Sequence, residues 1–203
     1  VRYANDRLDL DGTLTAHIFD GTVLVSGLAM ERPFGTAPTL SADIVLDDMN
    51  LQALTEVFGF GEITGALDGS IRQLRLVDWS AQSFNAELHT DPTWKGRQRI
   101  SQRAVQDLSS VGGNAGGLGN SLQAQALKLF DDFGYRQIGI SCRLAEEVCE
   151  MDGLSSAANS FSIVQGSGLP RLSVVGFNRR VDWPTLVERL VAVTEGDSTP
   201  IIE

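Results

Sequence analysis

The chain has 203 residues, 42% of them hydrophobic, and a net charge of −10 at neutral pH. This length allows a sizeable core, in one domain or in two small ones. The negative charge argues against general nucleic-acid binding and against strong adsorption to an anionic membrane surface. No apolar run reaches the roughly 18–20 residues that a membrane-spanning helix requires.

The chain begins at Val1, in what reads as a strand, and shows no signal peptide. We therefore expect a piece of a longer protein, whose other part would carry any targeting signal. Residues 7–19 alternate between apolar and polar side chains, which predicts one strand with a single apolar face. Asp20-Gly21 predicts a tight turn, and the strand expected over 22–30 is apolar on both faces.

Residues 39–90 predict strand, short helix and further strands. Leu40 to Leu46 alternate with a period of two, and Asn50 can cap a helix that ends at Gly59 and Gly61. Strand patterns follow over 62–71, 74–77 and 84–88. Residues 1–92 therefore predict an antiparallel meander with one inserted helix.

Residues 93–134 predict a helical, glycine-rich insert. Apolar residues at helical spacing predict an amphipathic helix at about 97–111 and another at about 120–133. The glycine-rich run 112–119 lacks a phosphate-binding signature and reads as a connector. The first helix carries a basic group that is either a solvated face paired with acids or a contact for lipid headgroup phosphates: Lys95, Arg97, Arg99 and Arg103.

Residues 135–194 return to β-hairpins and a terminal helix of the same sheet, and 195–203 read as a tail. If the loop spans 144–147, Cys142 lies opposite Cys149, at the close approach a disulfide requires. A disulfide indicates an oxidising compartment; two free core thiols, or half of a metal site, are the alternatives. Trp183-Pro184 predicts the start of a helix over 183–194, with a buried stripe at Leu186, Val187, Leu190 and Val191.

We find no arrangement of residues that predicts catalysis. His17 and His89 lie on polar strand faces, and Asp47-Asp48 and Asp131-Asp132 are typical of turns, although such pairs can bind a cation. The sequence therefore predicts no enzyme, no metal site and no cofactor.

Several segments in a fixed order resemble the C-terminal region of AsmA-like envelope proteins of the TamB and YdbH type. The residues that carry the resemblance are Leu46 to Leu54, Gly61 to Gly69, Leu74-Arg75-Leu76, Phe84-Asn85-Ala86, and Gly166-Ser167-Gly168 through to Trp183. The resemblance implies a protein anchored in the inner membrane of diderm bacteria. It also implies that this protein crosses the periplasm and carries phospholipids towards the outer membrane.

The expected fold class is mainly β with inserted helices (α+β), as a curved antiparallel sheet that forms a groove. A strand with one apolar face can shelter acyl chains while its polar face meets water. The same alternation also fits a closed β-core, or a docking module that binds an envelope protein partner through a sheet edge. The residues expected to line the groove are Leu8, Leu10, Leu14, Ile18, Leu40, Ile44, Leu67, Ile71, Phe84 and Leu88.

Overall fold

The computed structural model describes residues 1–111, 130–157 and 159–194. Fifteen strands and three helices lie in these ranges. The strands are β1 (Arg2–Ala4), β2 (Arg7–Asp9), β3 (Thr13–Ile18), β4 (Gly21–Glu31), β5 (Thr39–Asn50), β6 (Ile63–Thr64), β7 (Ala66–Val77), β8 (Ser80–Thr90), β9 (Arg99–Ser101), β10 (Asp132–Ala145), β11 (Val148–Gly153), β12 (Ser155–Ala157), β13 (Ser160–Gly166), β14 (Ser173–Gly176) and β15 (Arg180–Asp182). The helices are α1 (Leu51–Val57), α2 (Gln102–Val111) and α3 (Trp183–Thr194).

The strands form an open antiparallel sheet, which confirms a mainly β fold with helices. Its main path runs β1-β2-β4-β5-β7-β8-β10-β11-β15, and β3 also pairs with β4. The long strand β10 pairs in addition with β9 and β13, and β13 pairs with β12 and β14. In the described residues the two ends of the path, β1 and β15, do not pair with each other.

The strand predicted over residues 7–19 is two strands, β2 and β3, separated at Leu10–Gly12. The break matches an irregularity in β4, where the register shifts between Ser26 and Ala29 and Gly27 has a φ of +60°. A β-bulge adds one residue to one strand and bends it. The segment opposite the bulge, residues 10–12, therefore leaves the ladder with β4. Within this break the Leu10 N–H donates a hydrogen bond to the Leu28 carbonyl, at 2.9 Å.

The first hairpin turn lies one residue earlier than the sequence predicts. Phe19 and Asp20 occupy its two central positions, with φ values of +49° and +57°. Gly21 is instead the buried first residue of β4. An added Cβ there would lie 2.7 Å from the Asp47 carbonyl oxygen, so close packing of two backbones requires this glycine.

Asn50 caps α1, as predicted. Its side-chain oxygen accepts hydrogen bonds from the N–H groups of Gln52 and Ala53, at 3.0 and 3.3 Å. These bonds satisfy two of the amides that a helix start leaves unpaired. The helix is buried through Leu51 and Thr55.

The predicted helix over 97–111 begins only at Gln102, because β9 occupies Arg99–Ser101. Ile100 pairs with Ile63 and with Phe133 in this strand and is fully buried. Its burial therefore comes from a sheet and not from a helix face. Arg97 and Arg99 consequently lie outside the helix, and of the basic residues singled out only Arg103 lies in it.

The prediction of a helix over 120–133 is wrong at its end, since Asp132 and Phe133 begin β10. Residues 120–129 of that prediction, and the glycine-rich run 112–119, lie outside the described residues. The helix over 183–194 is present as α3. Its predicted stripe is buried only at Leu186, whereas Val187 and Leu190 are each 37% exposed.

The buried core lies at the C-terminal half of the sheet and joins the three described helices to it. It brings together Leu51 of α1, Ala104 and Val105 of α2, and Leu186 of α3. The largest share comes from β10, β11, β13 and β14, whose buried side chains are Phe133, Tyr135, Cys149, Met151, Phe161, Ile163, Val164 and Val174. The core therefore covers only part of the sheet.

The predicted disulfide between Cys142 and Cys149 is confirmed, although the predicted register is wrong by two residues. The turn of the hairpin is Glu146-Glu147, so that Cys149 lies opposite Leu144 and Cys142 lies opposite Met151. The cysteines are thus diagonal neighbours, with 5.5 Å between their Cα atoms. This separation is within the range that a disulfide bridges.

Replacing both cysteines by alanine is expected to lower the free energy of unfolding by about 2–3 kcal/mol, because the unfolded chain loses a short covalent loop. Urea unfolding of both forms measures this difference. Thiol labelling of the unreduced, denatured wild-type chain should find no free thiol. Two labelled cysteines per chain would contradict the disulfide.

Candidate apolar binding face

One face of the sheet is lined by apolar side chains that the strand pairing aligns into rows. Directly opposed residues of antiparallel strands point to the same side of a sheet. A first row runs without interruption across seven strands: Leu14, Val25, Ile44, Ile71, Ala86, Cys142 and Met151.

Two further rows lie on the same side. Within β5, Leu40, Ile44 and Leu46 are separated by even numbers of residues, so all three rows share one face. The second row consists of Ala16, Val23, Leu46, Gly69, Leu88, Ile140 and Gly153. The third consists of Tyr3, Leu8, Met30, Leu40, Leu76 and Ala81. We call the surface formed by these three rows the apolar face.

Burial along the apolar face increases from β3 to β11. Leu14 is 48% exposed, whereas Ile44 and Ile71 are partly buried and Met151 is only 4% exposed. The core described above covers the β11 end. Over β3, β4, β5 and β7 the apolar side chains therefore remain accessible in the part of the chain that the structure describes.

The opposite face of the same strands is mostly polar. Arg143 and Glu150 are directly opposed there and form an ion pair at 3.7 Å, and Asp43 accepts a hydrogen bond from the Gln73 N–H at 2.7 Å. Val45, which is 37% exposed, is an apolar exception on this side. The sheet therefore has one apolar and one largely polar surface, as alternation predicts.

All but one of the residues predicted to line the groove lie on strands of the apolar face. Leu10 is the exception, because it falls in the break between β2 and β3. Phe84 lies at the covered end, where its ring contacts Trp183 edge-on at 5.1 Å between centroids. Leu67 packs beside the core, opposite Met49 and Thr90.

Sequence reasoning missed several members of the rows: Val23, Val25, Met30, Leu46 and Leu76. In β4 both faces are apolar in sequence, so alternation alone does not select one of them. The register also shifts at Gln73 in β7 and at Asp48 in β5, both of which have positive φ. These local insertions carry no sequence signal that fixes which residues lie opposite one another.

The predicted basic group is dispersed, and two of its members pair with acids. Arg99 forms an ion pair with Asp132, and Arg103 lies 3.7 Å from Asp107. Arg97 and Arg99 line a depression of about 380 Å³ together with Ser167 and Leu169. Lys95 is exposed in the segment between β8 and β9.

Acidic and amide side chains line a second, polar depression. Asp20, Asp48 and Asn50 contribute to it, and its volume is about 370 Å³. Partial desolvation, and then the charge of nearby Asp68, raise the pKa of Asp48. Among the described residues no group of three or more His, Cys, Asp or Glu side chains is placed to hold a metal ion.

The two histidines have polar neighbours. His17 lies within 3.3 Å of the Thr22 hydroxyl on the polar face, and His89 lies opposite Asp68 and Gly139. Among the described residues, no helix combines the length and apolarity needed to span a bilayer. Comparison with protein-family models, curated proteins and solved structures found no match to this chain.

Proposed function

We propose that this chain is a C-terminal segment of a periplasm-spanning protein that carries phospholipids between the inner and outer membranes, with the apolar face as the wall of a curved groove. The observation that supports this most is the pair of rows that cross seven strands without a charged side chain. Each acyl methylene that such a wall removes from water contributes about 0.8 kcal/mol. The disulfide agrees with a periplasmic location.

The resemblance to AsmA-like envelope proteins supplies the membranes and the inner-membrane anchor of this proposal. The open sheet is compatible with it, because acyl chains can reach the surface over β3, β4, β5 and β7, which no other described part of the chain covers. The ion pairs of Arg99 and Arg103 leave Lys95 and Arg97 as the members of the basic group for which contact with headgroup phosphates remains a proposal.

A charge placed in the middle of the apolar face is expected to remove bound lipid. Ile44→Lys puts an ammonium group in the first row, where its contact with acyl chains costs desolvation, so co-purified phospholipid should fall by roughly tenfold. Val45→Lys is a matched control, because Val45 is the next residue and faces the polar side. Native mass spectrometry of the gently purified protein counts the bound lipids.

The control variant should keep the wild-type amount of lipid. Both variants should retain the wild-type circular dichroism spectrum, because both positions are accessible to solvent. Equal lipid content in the Ile44 and Val45 variants, or no lipid in the wild-type protein, would remove the support for a lipid conduit.

A docking module is the second candidate, and the edge strand β3 favours it. All six residues of β3 are exposed, and in the described structure its backbone pairs only with β4. An exposed strand edge is a template for a strand of another chain. A photo-crosslinking residue at Thr15 in cells should trap protein if β3 docks a partner, whereas one at Ile44 should trap lipid if the apolar face is a conduit.

A further inference from the structure

Three exposed aromatic residues lie in or beside neighbouring turns at one end of the sheet. Tyr3 is the middle residue of β1, next to the β1–β2 turn. Phe34 lies in the loop between β4 and β5, and Trp79 lies in the turn between β7 and β8. They are 55%, 88% and 66% exposed. We call these three residues the aromatic rim.

Backbone hydrogen bonds hold the three turns together. The N–H of Arg32 donates to the Asp6 carbonyl at 2.7 Å, and the N–H of Asp78 donates to the Pro38 carbonyl at 2.9 Å. The rings of Tyr3 and Phe34 also meet edge-on, with 6.4 Å between centroids. The rim is therefore a single fixed feature of the sheet end.

Trp79 occupies a backbone conformation that disfavours a bulky side chain. It is the second central residue of a two-residue hairpin turn, with a φ of +63°, where glycine is preferred. In the other described two-residue turns with both φ values positive, Asn5-Asp6, Phe19-Asp20 and Glu146-Glu147, the equivalent residue is acidic. A large exposed indole at this position thus does not serve the fold, which points to an external role.

We propose that the aromatic rim inserts into the interfacial region of a zwitterionic phospholipid bilayer. Trp and Tyr combine an apolar ring with a polar group and are favoured at the headgroup level of membranes. The three rings lie in or beside three separate turns, which suits insertion between lipid molecules better than the continuous flat patch of a protein interface.

The charges near the rim select the type of surface. Arg7 is paired with both Asp9 and Glu31, at 2.8 and 2.9 Å, and the Tyr3 hydroxyl donates to Asp6 at 3.2 Å. Together these groups carry one positive and three negative charges, so they oppose an anionic membrane, as does the net charge of −10. A zwitterionic headgroup has no net charge and therefore does not repel them.

The rim continues into the apolar face, because Tyr3 is the first residue of its third row. A lipid that leaves the bilayer at the rim would meet Leu8 and Met30 next. In this respect the inference deepens the proposed function and rests on it, whereas contact with a bilayer is measurable without any lipid transfer.

The test uses Trp fluorescence with vesicles of phosphatidylcholine, with and without brominated acyl chains. A Trp94→Phe/Trp183→Phe form of the whole chain leaves Trp79 as the single indole, since the sequence has three Trp residues. Its emission should shift to the blue on adding vesicles and should be quenched by the brominated lipid. Unchanged emission at saturating lipid would overturn the inference.

A pair of Phe→Ala variants provides the matched comparison. Phe34→Ala should lower vesicle partitioning roughly tenfold, whereas Phe58→Ala should leave it unchanged, because Phe58 is 49% exposed but follows α1 at the other end of the strands. Trp79→Gly should also lower partitioning while melting at the same or a higher temperature. Equal losses for Phe34→Ala and Phe58→Ala would overturn the assignment to the rim.

Native mass spectrometry of the same variants separates this inference from the proposed function. Co-purified lipid without vesicle binding would overturn the rim contact alone. Vesicle binding through the rim without any co-purified lipid would overturn the lipid conduit alone.

Discussion

Replacing Gly166 by alanine is expected to lower the free energy of unfolding by about 3 kcal/mol or more, the largest effect of a single added methyl group at any described glycine. Gly166 is the buried last residue of β13 and lies opposite Tyr135. A Cβ at this position would overlap the backbone carbonyl of Leu172. A backbone group cannot rotate away as a side chain can, so the two segments must separate. Urea unfolding measures the loss.

Gly168→Ala is the matched control, two residues further along the chain. No atom lies within 4 Å of a Cβ built there, but the φ of +78° is unfavourable for alanine. Its expected cost is therefore about 1–2 kcal/mol, from conformation alone. A cost for Gly166→Ala no greater than that for Gly168→Ala would contradict the close approach of β13 to Leu172.

Tyr135→Ala is expected to lower the free energy of unfolding by about 4 kcal/mol, because it removes a ring that is only 2% exposed from the core. Tyr135→Phe should cost about 1 kcal/mol, since its hydroxyl donates to the Thr64 carbonyl at 2.7 Å. The tyrosine fixes β10 to the short strand β6. The adjacent Gly65 leaves the space that the hydroxyl occupies.

The decrease in the free energy of unfolding at alkaline pH gives an independent check on Tyr135. Burial raises the pKa of its hydroxyl above the usual value of about 10. Its contribution is complete below about pH 10 and is lost as the pH rises further, because the unfolded chain then ionises while the folded phenol stays neutral. Tyr135→Phe should flatten this decline, by up to about 1.4 kcal/mol per pH unit.

Tyr3→Phe is the control for this measurement, since Tyr3 is the other of the two tyrosines and is exposed. Its hydrogen bond to Asp6 also raises the pKa of Tyr3, but solvent screens an exposed group, so Tyr3→Phe should flatten the decline much less than Tyr135→Phe. An equal decline above pH 10 in the wild-type and Tyr135→Phe chains would contradict the burial of the Tyr135 hydroxyl.

Alternation predicted the strands of the open sheet well, because a half-buried strand has a period of two that few other structures share. Leu40 to Leu46 is the clearest case, and this segment lies in the middle of β5. The helix cap at Asn50 could equally be predicted from the sequence, because its side chain accepts a hydrogen bond from a residue only two positions away. Such local physics needs no knowledge of the rest of the chain.

Features that depend on distant residues could not be predicted from the sequence. Ile100 and Ala104 fit a helical stripe, yet Ile100 is buried by strands that arise near residues 63 and 133. The register of the disulfide hairpin depended on a two-residue turn of glutamates with positive φ, which lacks the usual Asn-Gly signal. The bulges that align the apolar rows also depend on distant residues, because they arise from the pairing between strands.

Strand β10 has four partners along its 14 residues. Its first half bonds to β9 and β13 of the core, and its second half bonds to β8 and β11 of the open sheet. One strand thus belongs both to the core and to the open sheet. Its removal would leave unpaired backbone amides in both parts. The well-packed core thereby anchors the accessible part of the apolar face, over which the described residues place no second layer.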